Sequence, residues 1–348
     1  MKIYIALQRI ILSAFIAVPK RIPVGGQAVI EGVLMKGPEH WGLAVREPGG
    51  SIWLKAWLGS DWLKNGIWKY PIIRGFATMV EMMRIGMRAL SISAEISLGE
   101  EDKISPLEMA GAIAVAIFAV AGLFVALPML VSEYLTSLLG LTHLSKNIME
   151  GILRGVIFVG YVAMIGLWKD IQQVFAYHGA EHKTINAYEN DAELTPESVA
   201  KFSRIHRRCG TSFLLVVIFV SIIVFSAIGG GSLLWRIGSR VLLLPFVIGI
   251  SYEFIKGASN SETWGRYCIM PALSLQYITT REPRLDQIEV ALAALDMALN
   301  PEKAAENTPR EAVVKQWCSG RRGGELWRLR HGEFAASGLR RICGQRPQ

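Results

Sequence analysis

Four apolar segments, Met109–Val131, Ile152–Trp168, Ser212–Ile228 and Ile237–Phe254, constrain this chain more than any other feature. A hydrocarbon core of roughly 30 Å takes about 20 helical residues to cross, and each segment reaches or approaches that length. In lipid the backbone N–H and C=O groups must pair within the segment, so these stretches read as helices. The fold class that follows is a mainly α, polytopic membrane protein with about four spans. Composition agrees, because 51% of the 348 residues are hydrophobic and only 19% charged, with a mean hydropathy of +0.34. A soluble domain carries about a quarter charged residues. Gly155, Gly160 and Gly166 in the second segment allow close helix packing, and Pro245 predicts a kink in the fourth.

Charge sets the orientation. The formal net charge is +8, but ten Lys/Arg against five Asp/Glu lie from Pro301 onward. The basicity therefore belongs largely to the tail, and with no basic-aromatic recognition module present, a nucleic-acid partner is not expected. Lys and Arg are dense before the first span, between Lys169 and Thr211, and after Lys256; they are sparse in the links Ser132–Gly151 and Gly229–Arg236. Four spans put the three basic regions on one side, which the positive-inside rule makes cytoplasmic, together with both termini. Cys209, Cys268, Cys318 and Cys343 form no C-x-x-C pair, as suits reduced thiols facing a cytosol.

Around the spans the chain divides further. Residues 1–21 read as a short amphipathic segment at the membrane surface, and 22–70 as a small cytoplasmic β-unit. Within that unit, Gln27–Met35, Gly42–Val45 and Ser51–Trp57 are strand candidates, with a turn at Glu47-Pro48-Gly49-Gly50. Gly25, Gly26 and Gly32 lack dinucleotide-fingerprint spacing and read as turn glycines, while Glu31 interrupts an apolar strand. Residues 71–108 form an amphipathic helix, with Ile72, Phe76, Met79, Val80, Met83, Met87 and Leu90 at helical spacing. It either lies along the interface with its cations toward lipid headgroups or packs on the bundle. The membrane domain, 109–299, contains a His-rich cytoplasmic loop over 169–211; Pro271–Thr280 reads as irregular and Asp286–Leu299 as an amphipathic helix. Residues 300–348 lose periodicity and read as a disordered tail.

Within the loop stands His178-Gly179-Ala180-Glu181-His182, the H-x-x-E-H arrangement that reverses the zincin motif. Residues three and four apart share one face of a helix, so two imidazoles and a carboxylate converge. A helix continuing from the second span would either stand upright or bend at Gly179. Catalytic zinc uses three protein ligands and keeps one position open. His178 and His182 are the first two; His206 is the first choice for the third, with Glu253 and Cys209 as alternatives. Glu181 would be the general base, and Lys183 and Arg207 would hold an anionic substrate group. The bland alternative is a solvated helical face with Glu181 paired to a nearby cation.

Several blocks together resemble the YqhQ-like family of bacterial membrane proteins. These are Val24-Gly25-Gly26-Gln27-Ala28-Val29-Ile30-Glu31-Gly32-Val33-Leu34-Met35, Pro71-Ile72-Ile73-Arg74-Gly75, Tyr177–Lys183, His206–Ser212, and Leu275-Gln276-Tyr277-Ile278-Thr279-Thr280-Arg281-Glu282-Pro283. The resemblance covers roughly residues 22 to 299 and implies a metal-dependent enzyme of the inner membrane, with the metal at His178 and His182. It does not extend to the tail after Pro301. The reading that follows is a membrane-associated metal-dependent hydrolase, with zinc the expected ion. Its rivals are a scaffold that binds a cytoplasmic protein partner and, third, a transporter, for which charges within the spans would be required.

Overall fold

The computed structural model describes residues 23–60, 66–98, 106–140, 142–228, 232–259, 261 and 264–300. The expected amphipathic start over 1–21 and the tail beyond Asn300 lie outside the described residues.

Four strands, β1 (Gly25–Val29), β2 (Gly32–Lys36), β3 (His40–Arg46) and β4 (Ile52–Leu58), pair in sequence order as an antiparallel meander. The single strand expected over Gln27–Met35 is instead the β1–β2 hairpin. Val29 pairs with Gly32 across a two-residue turn, in which Glu31 adopts φ 50°. Burial explains the difference: β2 is covered on both faces, so its residues are apolar without alternation, and Glu31 is the one polar residue in the turn.

Helix α1 (Ile73–Leu98) follows, and then the first span, built from α2 (Pro106–Ala121), a π turn (Gly122–Ala126) and α3 (Leu127–Leu139). Pro128 explains the irregular turn. It has no N–H to offer the carbonyl four residues back, that of Phe124, so the ladder loosens there. Gly140, at φ 60°, caps α3, and Thr142 caps α4 (His143–Ile165) by accepting from the Ser145 N–H at 3.3 Å. The long link expected over 132–151 is therefore mostly helix, and its polar residues lie within the spans rather than between them. A turn at Gly166–Trp168, not at Gly179, separates α4 from α5 (Lys169–Glu189).

The remaining helices are α6 (Pro196–Val199), α7 (Gly210–Ile228), α8 (Leu233–Ser259), α9 (Trp264–Ser274), α10 (Gln276–Thr279) and α11 (Leu285–Leu299). Pro271–Thr280, expected to be irregular, is helical because α9 packs on α7 and α8 despite its internal Pro271. Among the described residues, four helical stretches are long and apolar enough to cross a membrane: Ala114–Leu139, Leu144–Ile165, Gly210–Ile228 and Trp235–Ser259.

The sheet lies between two helical layers. Leu34, Trp41, Leu43 and Val45 pack on Ile85 and Ala89 of α1. From the opposite face, Val33, Met35 and Ala44 meet Tyr177 and Ala180 of α5 and Ile288, Ala291 and Leu295 of α11. Gly42 admits α11, since a Cβ there would lie 2.4 Å from the Ala294 carbonyl oxygen. Helix α1 also crosses α8, where Gly75 and Gly249 let the two helices approach closely. The amphipathic helix thus packs on sheet and bundle, while Val80, Met83 and Met87 remain exposed.

Candidate metal centre

Helix α5 carries the first two side chains of the site. Its composition is not membrane-like, yet its second half, from Ala176 to Tyr188, is mostly buried between β1, β2, α11 and the loop leading to α7. Gly179 permits this: a Cβ there would lie 2.1 Å from the Arg281 carbonyl oxygen. The helical repeat brings the rings of His178 and His182 to 4.4 Å between centroids.

Both imidazoles are oriented the same way. His178 Nδ1 donates to the Thr279 carbonyl oxygen at 2.8 Å, and His182 Nδ1 donates to that of Arg204 at 2.6 Å. A proton on Nδ1 leaves Nε2 as the free lone pair, the arrangement in which metal-ligating histidines are usually held. His182 Nε2 is buried and has no hydrogen-bond partner among the described residues. Leaving such an acceptor unmet costs about 1–3 kcal/mol, which a ligand at that position would remove.

Cys209 completes the group. Its Sγ lies 3.3 Å from His178 Nε2, and the ligand atoms of His178, His182 and Cys209 all fall within 4.8 Å of one another. Zn–S and Zn–N bonds at tetrahedral angles put neighbouring ligand atoms roughly 3.3–3.5 Å apart, so the residues fit such an ion. Burial pushes the Cys209 thiol up, but the neighbouring His182 imidazole, helped by Thr211, outweighs it and holds the thiol below its ordinary range. Burial, followed by the charge of His178, holds His182 low and keeps it neutral. A low thiol and a neutral imidazole are the forms that bind metal.

The other expected site residues are placed differently. His206, first choice for the third ligand, is buried beside the group, with its ring 5.7 Å from that of His182 and its Nε2 3.6 Å from Glu189. Burial and then Arg207 push it down to about 4. Its backbone is clamped by Gln276, which accepts from the His206 N–H at 2.8 Å and donates to the His206 carbonyl at 2.7 Å. This clamp fixes the turn that delivers Cys209. Glu253 is removed from the group altogether, because both of its oxygens accept from Arg74, one at 2.6 Å. Lys183 donates to the Ala200 carbonyl at 2.7 Å and pairs with Glu282, so it braces the loop rather than facing an open site. The Arg207 side chain is exposed.

Glu181 is almost wholly buried and stands outside the three-ligand group, close enough to interact electrostatically with His178 and Cys209. Burial raises its carboxyl to about 8, partly opposed by His178. Its Cγ and Cδ occupy the space over Gly26, where a Cβ would come within 2.9 Å of both. Gly26, in mid-strand, is therefore not a turn glycine but the gap that admits this carboxylate. Glu31 takes no part, and instead accepts from Tyr177 Oη at 3.1 Å and from Gln173 at 3.3 Å. The supporting roles of Gly26, Gln276 and the carbonyls of Arg204 and Thr279 had no local signal, because backbone acceptors leave no mark on a residue pattern.

Comparison with known proteins agrees with this frame. The DUF1385 family, described as a protein of unknown function, matches residues 70–301. The chain is also similar to "Uncharacterized protein YqhQ" of Bacillus subtilis (strain 168), 32% identical over 305 residues that span 82% of this chain and 95% of that protein. No solved structure matches it. The family match covers the helical bundle and all three members of the histidine–cysteine group, and the chain belongs to the DUF1385 family.

Proposed function

We propose that this protein is an inner-membrane metalloenzyme that holds a divalent transition metal, zinc foremost, at His178, His182 and Cys209 on the cytoplasmic face and catalyses a hydrolysis. The observation that carries the reading is His182. Its Nδ1 is committed to the Arg204 carbonyl, and its Nε2 is buried, unpartnered and grouped with a thiol and a second imidazole. Two imidazoles and one thiolate are three protein ligands, the number that leaves one position open in catalytic zinc sites. A bound zinc ion supplies Lewis acidity and favours ionisation of water near neutral pH. Glu181 would receive the proton at its carboxylate, and burial, which raises that carboxyl to about 8, matches it to proton transfer near neutral pH. Gly26 and β1 keep bulk water from Glu181, while Thr279 and Arg204 hold the imidazoles in register.

The test starts with the full chain purified in detergent and its metal measured by elemental analysis. About one equivalent of metal is expected, falling at least tenfold in His182→Ala and substantially in Cys209→Ser, while Glu181→Gln keeps it. In a strain that depends on this protein, Glu181→Gln should fail to complement despite full metal loading. Complementation by Glu181→Gln would leave a structural metal in a non-catalytic scaffold. Undiminished metal in His182→Ala would sink the site itself.

A further inference from the structure

The opposite end of the bundle carries a second cluster, formed only because α3 and α4 are longer than the apolar pattern suggests. Glu150 is 3% exposed and accepts from Arg154 at 2.8 Å and from Arg240 at 2.5 Å, with Arg236 at 3.6 Å. Glu133 pairs with Lys146 and Arg236. Arg154 also donates to the Phe124 carbonyl at 2.8 Å, the acceptor that Pro128 releases in the π turn. Four cations thus face two carboxylates. The only other carboxylate in α3, α4, α7 or α8 is Glu253, at the far end of α8. Two positive charges remain in excess, and among the described residues the buried Arg236 Nη2, 3.6 Å from Glu150, and Arg240 Nε have no hydrogen-bond partner.

Ionisable groups inside spans are costly, face the bundle interior and mark binding or conduction paths. Lys146 and Arg236 lie three residues inside their helices, and Glu150 and Arg240 seven. At 1.5 Å per residue that is roughly 5–10 Å from the helix ends, the depth of the headgroup–acyl boundary. Guanidinium forks match the geometry of phosphate oxygens, and the excess of two charges matches a phosphate's one to two negative charges. Glu133, 55% exposed, stands at the mouth of the cluster and holds Lys146 and Arg236 as a displaceable carboxylate.

We propose that this end of the bundle binds a phosphate-type oxyanion, a lipid headgroup or free phosphate, between Lys146, Arg236 and Arg240, with Glu133 giving way to it. The site is separate from the histidine centre and does not depend on a metal there.

The test uses the full chain in neutral detergent, with thermal unfolding followed against phosphatidylglycerol, phosphatidylcholine of the same acyl chains, and inorganic phosphate. Saturable stabilisation by phosphatidylglycerol alone assigns the lipid source; equal stabilisation by inorganic phosphate assigns the free anion. Arg236→Gln and Arg240→Gln should weaken the response about tenfold, while Glu133→Gln should tighten it by a similar factor because the competing carboxylate is gone. Should the arginine variants not fold, Glu133→Gln and Lys146→Gln decide, with opposite expected signs. No response to either anion beyond that to phosphatidylcholine overturns the proposal. So does a response that Glu133→Gln leaves unchanged or weakens, since a closed internal ion network has no competing carboxylate to remove. Metal content, measured alongside, should stay constant across these variants.

Discussion

Glu181 and Gly26 are matched, one by its carboxylate and the other by what it lacks. A methyl group at position 26 would meet Glu181 Cγ and Cδ at 2.9 Å and the Leu34 carbonyl oxygen at 2.8 Å, while one at position 25 meets nothing within 4 Å. Gly26→Ala must therefore shift either β1 or the Glu181 side chain, at about 1–3 kcal/mol for overpacking. Gly25→Ala, one residue away, should change stability by less than about 0.5 kcal/mol. Thermal unfolding of the two variants checks the contrast, and equal midpoints would show that Glu181 does not rest on β1. The pairing of His178 with His182 was legible because a helix repeats locally. That Cys209 rather than His206 would join their group was not. Only two residues separate them, and the turn that decides is set by Gln276 and Arg204, whose partners lie 64 to 76 residues away.

Helix α1 shows the same division between local pattern and distant cause. Its apolar spacing announces an amphipathic helix, but its partners are the sheet on one side and α8 on the other. What fixes it to α8 is the Arg74–Glu253 pair, 27% and 16% exposed, with the guanidinium donating to both carboxylate oxygens. The carboxylate beside Arg74 holds that guanidinium above its ordinary value. Glu253→Gln leaves a half-buried cation facing an amide, a loss of about 1–3 kcal/mol between the ranges for exposed and buried pairs. Because Glu253 is committed to Arg74, metal content should not change. A lower unfolding midpoint with full metal loading is the expected result, and loss of metal would return Glu253 to the list of ligands. The polar run 132–151 misled for a related reason. Charged residues read as a loop, yet Glu133 and Glu150 pair with Lys146 and with the arginines of α4 and α8, so the helices continue through them.

Four spans, each reversing direction, place the chain's chemistry at two separate ends. The number of spans was legible because lipid imposes a minimum apolar length that no soluble element needs. The sheet's layering was less so, since its helical covers come from α1, α5 and α11, the last about 250 residues in sequence from the strands it covers. Which end faces the cytoplasm rests on charge. The cations at the far end, Lys146, Arg154, Arg236 and Arg240, reduce the asymmetry, but they lie inside the helices and are paired, whereas the orienting rule counts short loops and flanks. By that rule the segment between α5 and α7, with Lys201, Arg204, Arg207 and Arg208, is expected to face the cytoplasm, and the α3–α4 turn to face out. Two exposed positions test this, Glu193 in the first region and Leu139 beside the second. Each is changed to Cys in a chain whose Cys268, Cys318 and Cys343 are Ser and whose buried Cys209 is retained. A membrane-impermeant maleimide applied to intact cells should label Leu139→Cys at once and Glu193→Cys only after the membrane is opened. The reverse pattern would put the histidine centre outside, where a metal-dependent hydrolysis would meet a different set of substrates. Labelling of both positions from outside would contradict the four-span arrangement.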